Sequence, residues 1–445
     1  MNILFISLGC DKNLSDSEEM LGLLTERGHN IVNSEEEADA IVINTCCFIH
    51  DAKEESVETI LEMAEYKKAG SLKALIVTGC MAQRYKEEII QEIPEVDAVL
   101  GTTSYGDIVK ALDEVLKGKS FQEFRDINEL PAVSASRVLT TGGHFGYLKI
   151  AEGCDKHCTY CIIPSLRGRF RSIPEERLIQ QAEYMASQGV KELILVAQET
   201  TVYGTDIYGK KTLHLLLKKL CGIKGIRWIR VLYCYPEEIY DELIQVMKEE
   251  KKICHYLDLP IQHASDRILK RMGRRTSKEQ LVEIIGKLRR EIPDIILRTT
   301  LITGFPGETE EDHQELMEFV DEMEFDRLGV FTYSAEEGTP AASMDGQIPE
   351  ELKEARRDEL MELQQEISLE KGNERIGQEL LVMIEGKVSG ESAYIGRTYG
   401  DAPNVDGYLF VQTGELLRTG DFAKVRVTGA MEYDLIGELA DEYTE

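Results

Sequence analysis

Cys154-Asp155-Lys156-His157-Cys158-Thr159-Tyr160-Cys161 sets three thiols at Cys-x3-Cys-x2-Cys spacing, with an aromatic residue just before the last. A loop this short can turn its sulfurs toward one point, and thiolates gathered there select a soft metal, zinc or iron–sulfur. A closed zinc site wants four ligands, and no fourth Cys or His follows at finger spacing. His157 lies inside the loop, where it competes for room with its neighbours. Three thiolates on a cubane cluster instead leave one iron open to an incoming ligand. A zinc knuckle, or three unrelated thiols, are the competing readings of the spacing.

The chain around this loop has 445 residues, enough for two or three domains. Hydrophobic residues at 42% and charged residues at 30% fit a soluble globular protein. Met1 to Leu8 is apolar, without a basic lead or a cleavage site, and reads as a buried first strand of a cytoplasmic protein. The ten cysteines cluster or fall at strand ends, which in a reducing compartment favours metal or redox chemistry over disulfides. The net charge of −30, from 81 acidic and 51 basic residues, repels phosphate backbones and attracts basic partners. Plain solubility is the alternative use of such a field.

Residues 1–120 alternate apolar strands (Asn2–Leu8, Ala40–Asn44, Leu72–Thr78, Ala98–Gly101) with helices, the pattern of a parallel, flavodoxin-like α/β domain. Ligands of such sheets sit beyond the carboxyl ends of the strands. Cys10, Cys46 and Cys80 each follow one of these strands, so all three arrive at one edge and suggest a second iron–sulfur site. Burial as small core residues is the alternative. Neighbouring residues at a strand end point to opposite sides, so only one of Cys46 and Cys47 can easily face that site.

Residues 121–143 lack periodicity and read as a linker. Six strand–helix repeats follow over residues 144–348: Phe145–Ala151, Glu192–Ala197, Trp228–Tyr233, His255–Leu259, Ile295–Thr300 and Gly329–Thr332. Six are too few for a closed eight-fold barrel, and chemistry is expected at the strands' carboxyl ends. The residues there are Gln198 and Glu199, then Gln262 and His263, then Thr300, Ile302 and Gly304. Arg167, Arg169 and Arg171 form a basic patch that could balance a cluster, bind a carboxylate or be solvated. Cys221, Cys234 and Cys254 have no ligand spacing and read as buried hydrophobes. A charged helix, Pro349–Lys371, bridges residues 349–375 to short strands (Leu380–Ile384, Tyr408–Gln412, Ala423–Val427) of a small OB-like β-barrel over 376–445. Residues 373–445 hold fourteen acidic against six basic residues, a balance of −8. That sign is wrong for RNA despite Tyr394, Tyr399, Tyr408 and Phe410, and right for a basic protein.

The cysteine loop at the end of a strand resembles that of the radical S-adenosylmethionine enzymes. Ser7-Leu8-Gly9-Cys10-Asp11-Lys12-Asn13, Asn44-Thr45-Cys46-Cys47-Phe48 and Thr78-Gly79-Cys80 resemble the methylthiotransferase branch of that family, and the Cys10–Ser17 pattern its protein-modifying RimO type. Gly396-Arg397-Thr398-Tyr399-Gly400-Asp401-Ala402-Pro403 is similar to the same type, within a barrel similar to the TRAM domain. The resemblance implies a partial TIM barrel and two [4Fe-4S] clusters, one on Cys154, Cys158 and Cys161, the other on Cys10, Cys46 and Cys80. It implies S-adenosyl-L-methionine as methyl donor and as source of a 5′-deoxyadenosyl radical, suited to an unactivated C–H bond. Gln198, Glu199, Gln262, Thr300, Ile302 and Gly304 would contact it. The substrate implied is an aspartate β-carbon on small-subunit ribosomal protein S-twelve, with a flavodoxin or ferredoxin as low-potential donor. In that family's pattern Arg167-Gly168 is matched, while Ile173 stands where a basic residue is common. A tRNA adenosine (N6-isopentenyl or threonylcarbamoyl) methylthiotransferase is the other enzyme reading. A non-catalytic iron–sulfur scaffold or electron carrier, and a zinc protein, are the readings of other classes.

Overall fold

The computed structural model describes residues 1–131 and 137–440. Five residues of the expected linker, 132–136, and the last five of the expected C-terminal barrel lie outside the described residues. The first sheet comprises β1 (Asn2–Ser7), β2 (Asn30–Val32), β3 (Ala40–Thr45), β4 (Ala74–Gly79), β5 (Ala98–Leu100) and β6 (Phe121–Glu123), all parallel, in the order β2-β1-β3-β4-β5-β6. Every residue of β3 and β4 is buried, as continuous Ile and Val runs require when helices cover both faces. The order reverses direction between β1 and β3, and the crevice at that switch point is where such sheets bind ligands.

Two strands of this sheet escaped the sequence reading. Both β2 and β6 are three-residue edges, too short to show a period. Phe121 is the one apolar residue of β6, so a segment expected to begin the linker instead completes the first sheet.

The second sheet opens with β7 (Phe145–Lys149), which is followed by a separate antiparallel pair, β8 (Ala151–Glu152) with β9 (Arg171–Ser172). It continues through β10 (Glu192–Val196), β11 (Trp228–Val231), β12 (Ile253–Asp258), β13 (Ile296–Thr303) and β14 (Arg327–Thr332), in the parallel order β14-β13-β12-β11-β10-β7. This is an open, six-stranded partial barrel. Its fifth major strand, β13, runs three residues further than expected, so Thr300 and Ile302 belong to the strand and not to the loop after it. The run Thr299–Thr303, β-branched at every position but Leu301, simply continues the pairing with β14.

Helix Glu350–Asn373 buries Leu360, Gln364 and Ile367 against this sheet. It leads to a closed barrel of β15 (Glu379–Lys387), β16 (Ala393–Arg397), β17 (Leu409–Gln412), β18 (Phe422–Ala430) and β19 (Leu435–Leu439). The β16–β17 loop packs against the inner face of the partial barrel, with only its tip at Asn404 and Val405 exposed. Arg397 reaches Glu192 at 2.7 Å, Glu192 also holds Arg230 at 2.8 Å, and both arginines are 0% exposed. Asp401 pairs with Arg327 at 2.5 Å, and the Tyr256 hydroxyl donates to Asp406 at 2.7 Å. Asp401 and Asp406, two of the acidic residues expected to face a partner, are therefore internal, while Glu379, Glu391, Glu415 and Glu432 stay exposed. Tyr394 is buried, and Tyr399 packs edge-on against His255 while its hydroxyl donates to the Asp294 carbonyl. Neither is free to stack a base. Among the described residues no helix is long and apolar enough to cross a membrane.

Candidate functional site

The carboxyl ends of β1, β3 and β4 are neighbours, and each delivers a thiol. Cys10 is exposed at the start of helix Asp11–Glu26, Cys46 is buried just past β3, and Cys80 is buried as the first residue of helix Cys80–Tyr85. Two glycines allow the convergence. At Gly9 (φ +86°) a Cβ would stand 2.9 Å from the Cys46 sulfur, and at Gly79 (φ +93°) one would meet the Thr45 carbonyl oxygen at 2.4 Å. Burial, then Cys80, and also Cys10 push the Cys46 thiol up to about 12. Burial likewise raises Cys80, with Cys10 adding to it. The three thiols thus sit within one another's field. Cys47, fully buried, packs into the apolar core with Ile60, Val77 and Leu166.

The second sheet reaches into this edge. Arg167, at 2% exposure, lies just after the cysteine loop, yet its guanidinium donates to Asp16 (2.7 Å) and to Asn13 (2.5 Å). It also lies against Cys80 and opposes the effect of burial there. Of the three readings of the basic patch, Arg167 is the buried tie, and Arg169 remains exposed. Lys12 places its ammonium 3.2 Å from the centre of the Tyr233 ring and 3.1 Å from Asp11. Burial works against that charge, but Asp11, Tyr233 and Cys10 hold the Lys12 pKa above its ordinary value. Tyr233 follows β11 in left-handed backbone (φ +60°) and donates its hydroxyl to Asp11 at 3.1 Å. The carboxyl ends of the two sheets therefore meet.

The central cysteine loop is held from three sides. Cys154 N–H donates to the Gly168 carbonyl (3.1 Å), Thr159 N–H to that of Met272 (2.9 Å), and the Thr159 carbonyl accepts from Ala341 (2.9 Å). Burial raises Cys154 and Cys161 to about 12, with Cys158 adding to each. The Tyr235 hydroxyl stands 3.4 Å from the Cys158 sulfur. Tyr160 is half-buried, edge-on to Phe305 and within reach of Cys158. At the end of β10, Glu199 accepts from Thr201 N–H at 3.0 Å with one oxygen. Its other oxygen and the Gln198 side-chain oxygen are buried without a partner. Burial raises Glu199 to about 7, and its charge is felt at Cys154. Two unsatisfied acceptors beside a thiol loop fit a polar, amine-bearing ligand.

The remaining expected residues behave differently. Gln262 (φ +74°) extends the pairing to β13, its N–H on the Thr300 carbonyl and its own carbonyl accepting from Ile302. Gly304 is required by helix packing, since a Cβ there would stand 2.1 Å from the Lys353 side chain. His263 accepts at Nδ1 from the backbone of Ala264 and Ser265, 0% exposed, as a core residue. Cys234 and Cys254 are buried and Cys221 half-buried; Cys234 stands 3.4 Å from the Thr200 hydroxyl, and Cys254 lies beside Arg230. Among the described residues no three Cys, His, Asp or Glu side chains gather tightly enough for a single ion.

Three family models cover the chain in order: an uncharacterised protein family, UPF0004, over residues 2–101, the Radical SAM superfamily over 148–320, and the TRAM domain over 376–440. A protein of Lachnoclostridium phytofermentans named ribosomal protein uS12 methylthiotransferase RimO is 66% identical across 98% of this chain and 99% of its own. The chain belongs to the RimO family. Two further RimO proteins, from Pelotomaculum thermopropionicum and Clostridioides difficile, are 52% and 50% identical over at least 97% of both partners. Among solved structures, the radical S-adenosylmethionine methyltransferase TsrM of Kitasatospora setae superposes with a TM-score of 0.56 at 12% identity, covering 76% of this chain and 73% of that one. The cobalamin-dependent radical enzyme OxsB gives 0.52 at 15% identity, covering 81% and 56%. At such identities the likeness is one of fold. Sequence reasoning missed several residues in this RimO chain: Lys12, Tyr233, Tyr235 and Arg274, the last with its guanidinium 4.2 Å from the Tyr235 ring. The one signal for Lys12, Tyr233 and Tyr235 was position, just past strand ends that also carry a cysteine, whereas Arg274 lies in the turn after helix Asp266–Arg271 and had none.

Proposed function

We propose that this protein methylthiolates the β-carbon of an aspartate on ribosomal protein uS12, using S-adenosyl-L-methionine both as methyl donor and as radical source. Cys154, Cys158 and Cys161 would hold one [4Fe-4S] cluster, and Cys10, Cys46 and Cys80 a second. When bound, such three-thiolate clusters offer an open iron, the first for reductive cleavage of the sulfonium and the second for presenting sulfur. The observation carrying this reading is that two thiol triads from separate sheets stand at facing carboxyl ends, joined by Arg167 to Cys80 and by Lys12 to Tyr233.

The chain's own residues do the rest. Gln198 and Glu199 receive the amino group of the methionyl moiety on their two unpaired oxygens. Gln262, Thr300 and Ile302 line the same end of the sheet, with Gly304 carried over from the family pattern. Tyr160 and Tyr235 keep water from the loop. Residues 1–120, extended by β6, form the methylthiotransferase domain, 144–348 the radical domain and 376–445 the TRAM domain, in a cytoplasmic enzyme. The electron comes from a low-potential carrier such as flavodoxin or ferredoxin.

Mass spectrometry of uS12 and of tRNA nucleosides from a deletion strain tests the proposal. Loss of the methylthio mark on uS12 with methylthioadenosine intact is the expected result. The reverse pattern would transfer the assignment to tRNA.

A further inference from the structure

In a chain of net charge −30, the stretch 267–275 holds five cations and no carboxylate: Arg267, Lys270, Arg271, Arg274 and Arg275. Three of them are engaged. Arg267 pairs with Asp312, Arg271 donates to the Pro306 carbonyl (3.0 Å), and buried Arg274 donates to the Pro260 carbonyl (2.8 Å). Lys270 and Arg275 are exposed and have no ion pair among the described residues.

The turn that carries them is seated on the central cysteine loop. The Thr159 hydroxyl donates to the Arg271 carbonyl (2.9 Å), and Gly273 packs so closely that a Cβ would stand 2.7 Å from the His157 carbonyl oxygen. On the other side of His157 a cleft of about 460 Å³ leads down to Cys154, with Arg169 on its rim. Arg169 too is exposed and without an ion pair among the described residues. Asp155 is the one carboxylate lining the cleft, and its oxygen already accepts from Phe170 N–H at 3.1 Å.

We propose that Arg169, Lys270 and Arg275 form the docking surface for a small acidic one-electron carrier protein. The inference rests on the reading that Cys154, Cys158 and Cys161 hold a cluster needing an external electron. The step itself is simple: one electron leaves the reduced carrier and enters the cluster, and no proton or group moves. The physical case is one of contrast. The net charge of −30 repels an acidic carrier at long range, while Arg169, Lys270 and Arg275, exposed and without an ion pair among the described residues, supply local attraction beside the cysteine loop, so the encounter is oriented toward it. Redox encounters are small and weak, so three cations suffice where a permanent interface would need a large apolar patch.

The test titrates purified flavodoxin into the full-length protein by calorimetry at about 0.05 M and about 0.5 M salt, where screening lengths differ severalfold. The variant carries R169E, K270E and R275E; the control carries K387E and K424E, exposed on the C-terminal barrel. At low salt the variant's Kd should rise roughly tenfold or more, the control's should stay near wild type, and the difference should close at high salt. Cleavage of S-adenosylmethionine should be unchanged in the variant with dithionite and fall with reduced flavodoxin. Equal flavodoxin affinity in variant and wild type, or equal loss in the control, overturns the proposal. Lost binding of a ribosomal RNA hairpin with flavodoxin binding intact overturns it too, in favour of RNA. If wild type fails to cleave with dithionite, the proposed function falls, while the titration still decides the docking surface.

Discussion

The two thiol triads are built in opposite ways. The central one is local: eight residues, braced by backbone hydrogen bonds to the turns at Gly168, Met272 and Ala341. The N-terminal one is assembled from three strand ends up to seventy positions apart and depends on two glycines in left-handed backbone. It also borrows Arg167 from the other sheet. A local loop can form once its strand is in place, whereas the distributed triad needs both sheets docked. The first is thus expected to tolerate damage to the interface and the second is not.

The most severe way to probe this contrast is to replace each triad by alanine and count iron in anaerobically reconstituted protein. Either triple variant should fall from about eight irons to about four. Only loss of Cys154, Cys158 and Cys161 should abolish S-adenosylmethionine cleavage. If one triple variant removes all the iron, the two sites are not independent.

Next in size is R167M. It leaves Asp16 facing Lys149 alone and removes the guanidinium beside Cys80, and stripping one partner from a buried ion network costs about 3–5 kcal/mol. Denaturant unfolding should show that loss, and iron should drop at the N-terminal triad while central-cluster absorption persists. R167K should restore part of both. Equal loss at the two triads would erase the asymmetry.

A third probe bears on the local site. Burial raises Glu199 from 4.5 to about 7. A carboxyl raised in the folded state contributes most below its unfolded pKa, and that contribution is lost as pH climbs through the folded value. Between pH 4.5 and about 7 the apoprotein should therefore lose on the order of 3 kcal/mol that E199Q keeps. Parallel stability curves for the two proteins would show that Glu199 is not held in this way.

The smallest expected effect separates two adjacent thiols. C47A removes one core sulfur, costing about 1 kcal/mol in thermal unfolding, and should leave iron content unchanged. C46A should release the N-terminal iron. Matching iron losses would mean that Cys47 is not simply a core residue.

What the sequence made legible follows the same division. The central triad was visible as a spacing, and the N-terminal one as three cysteines after three apolar strands, because both signals lie within a strand's length of the thiol. Nothing local announces Arg167 meeting Asp16 across 151 positions, or Arg397 meeting Glu192 across 205. The acidic C-terminal residues were read as surface because charge usually is. The partners of Asp406 and Asp401, Arg298 and Arg327, sit on strands where an arginine gives no periodic signal. Edges such as β6 stayed hidden because three residues cannot establish alternation.

The plug formed by the β16–β17 loop limits how members of this family can be recombined. Grafting another TRAM module onto this chain after helix Glu350–Asn373 would leave Arg230 and Glu192 without Arg397, stranding ionised groups in the hollow of the half-barrel. A viable chimera would need its crossover drawn through space, carrying Glu192, Arg230, Tyr256 and Arg327 along with the donor barrel. A single splice between modules would give a misassembled product before it gave a retargeted one.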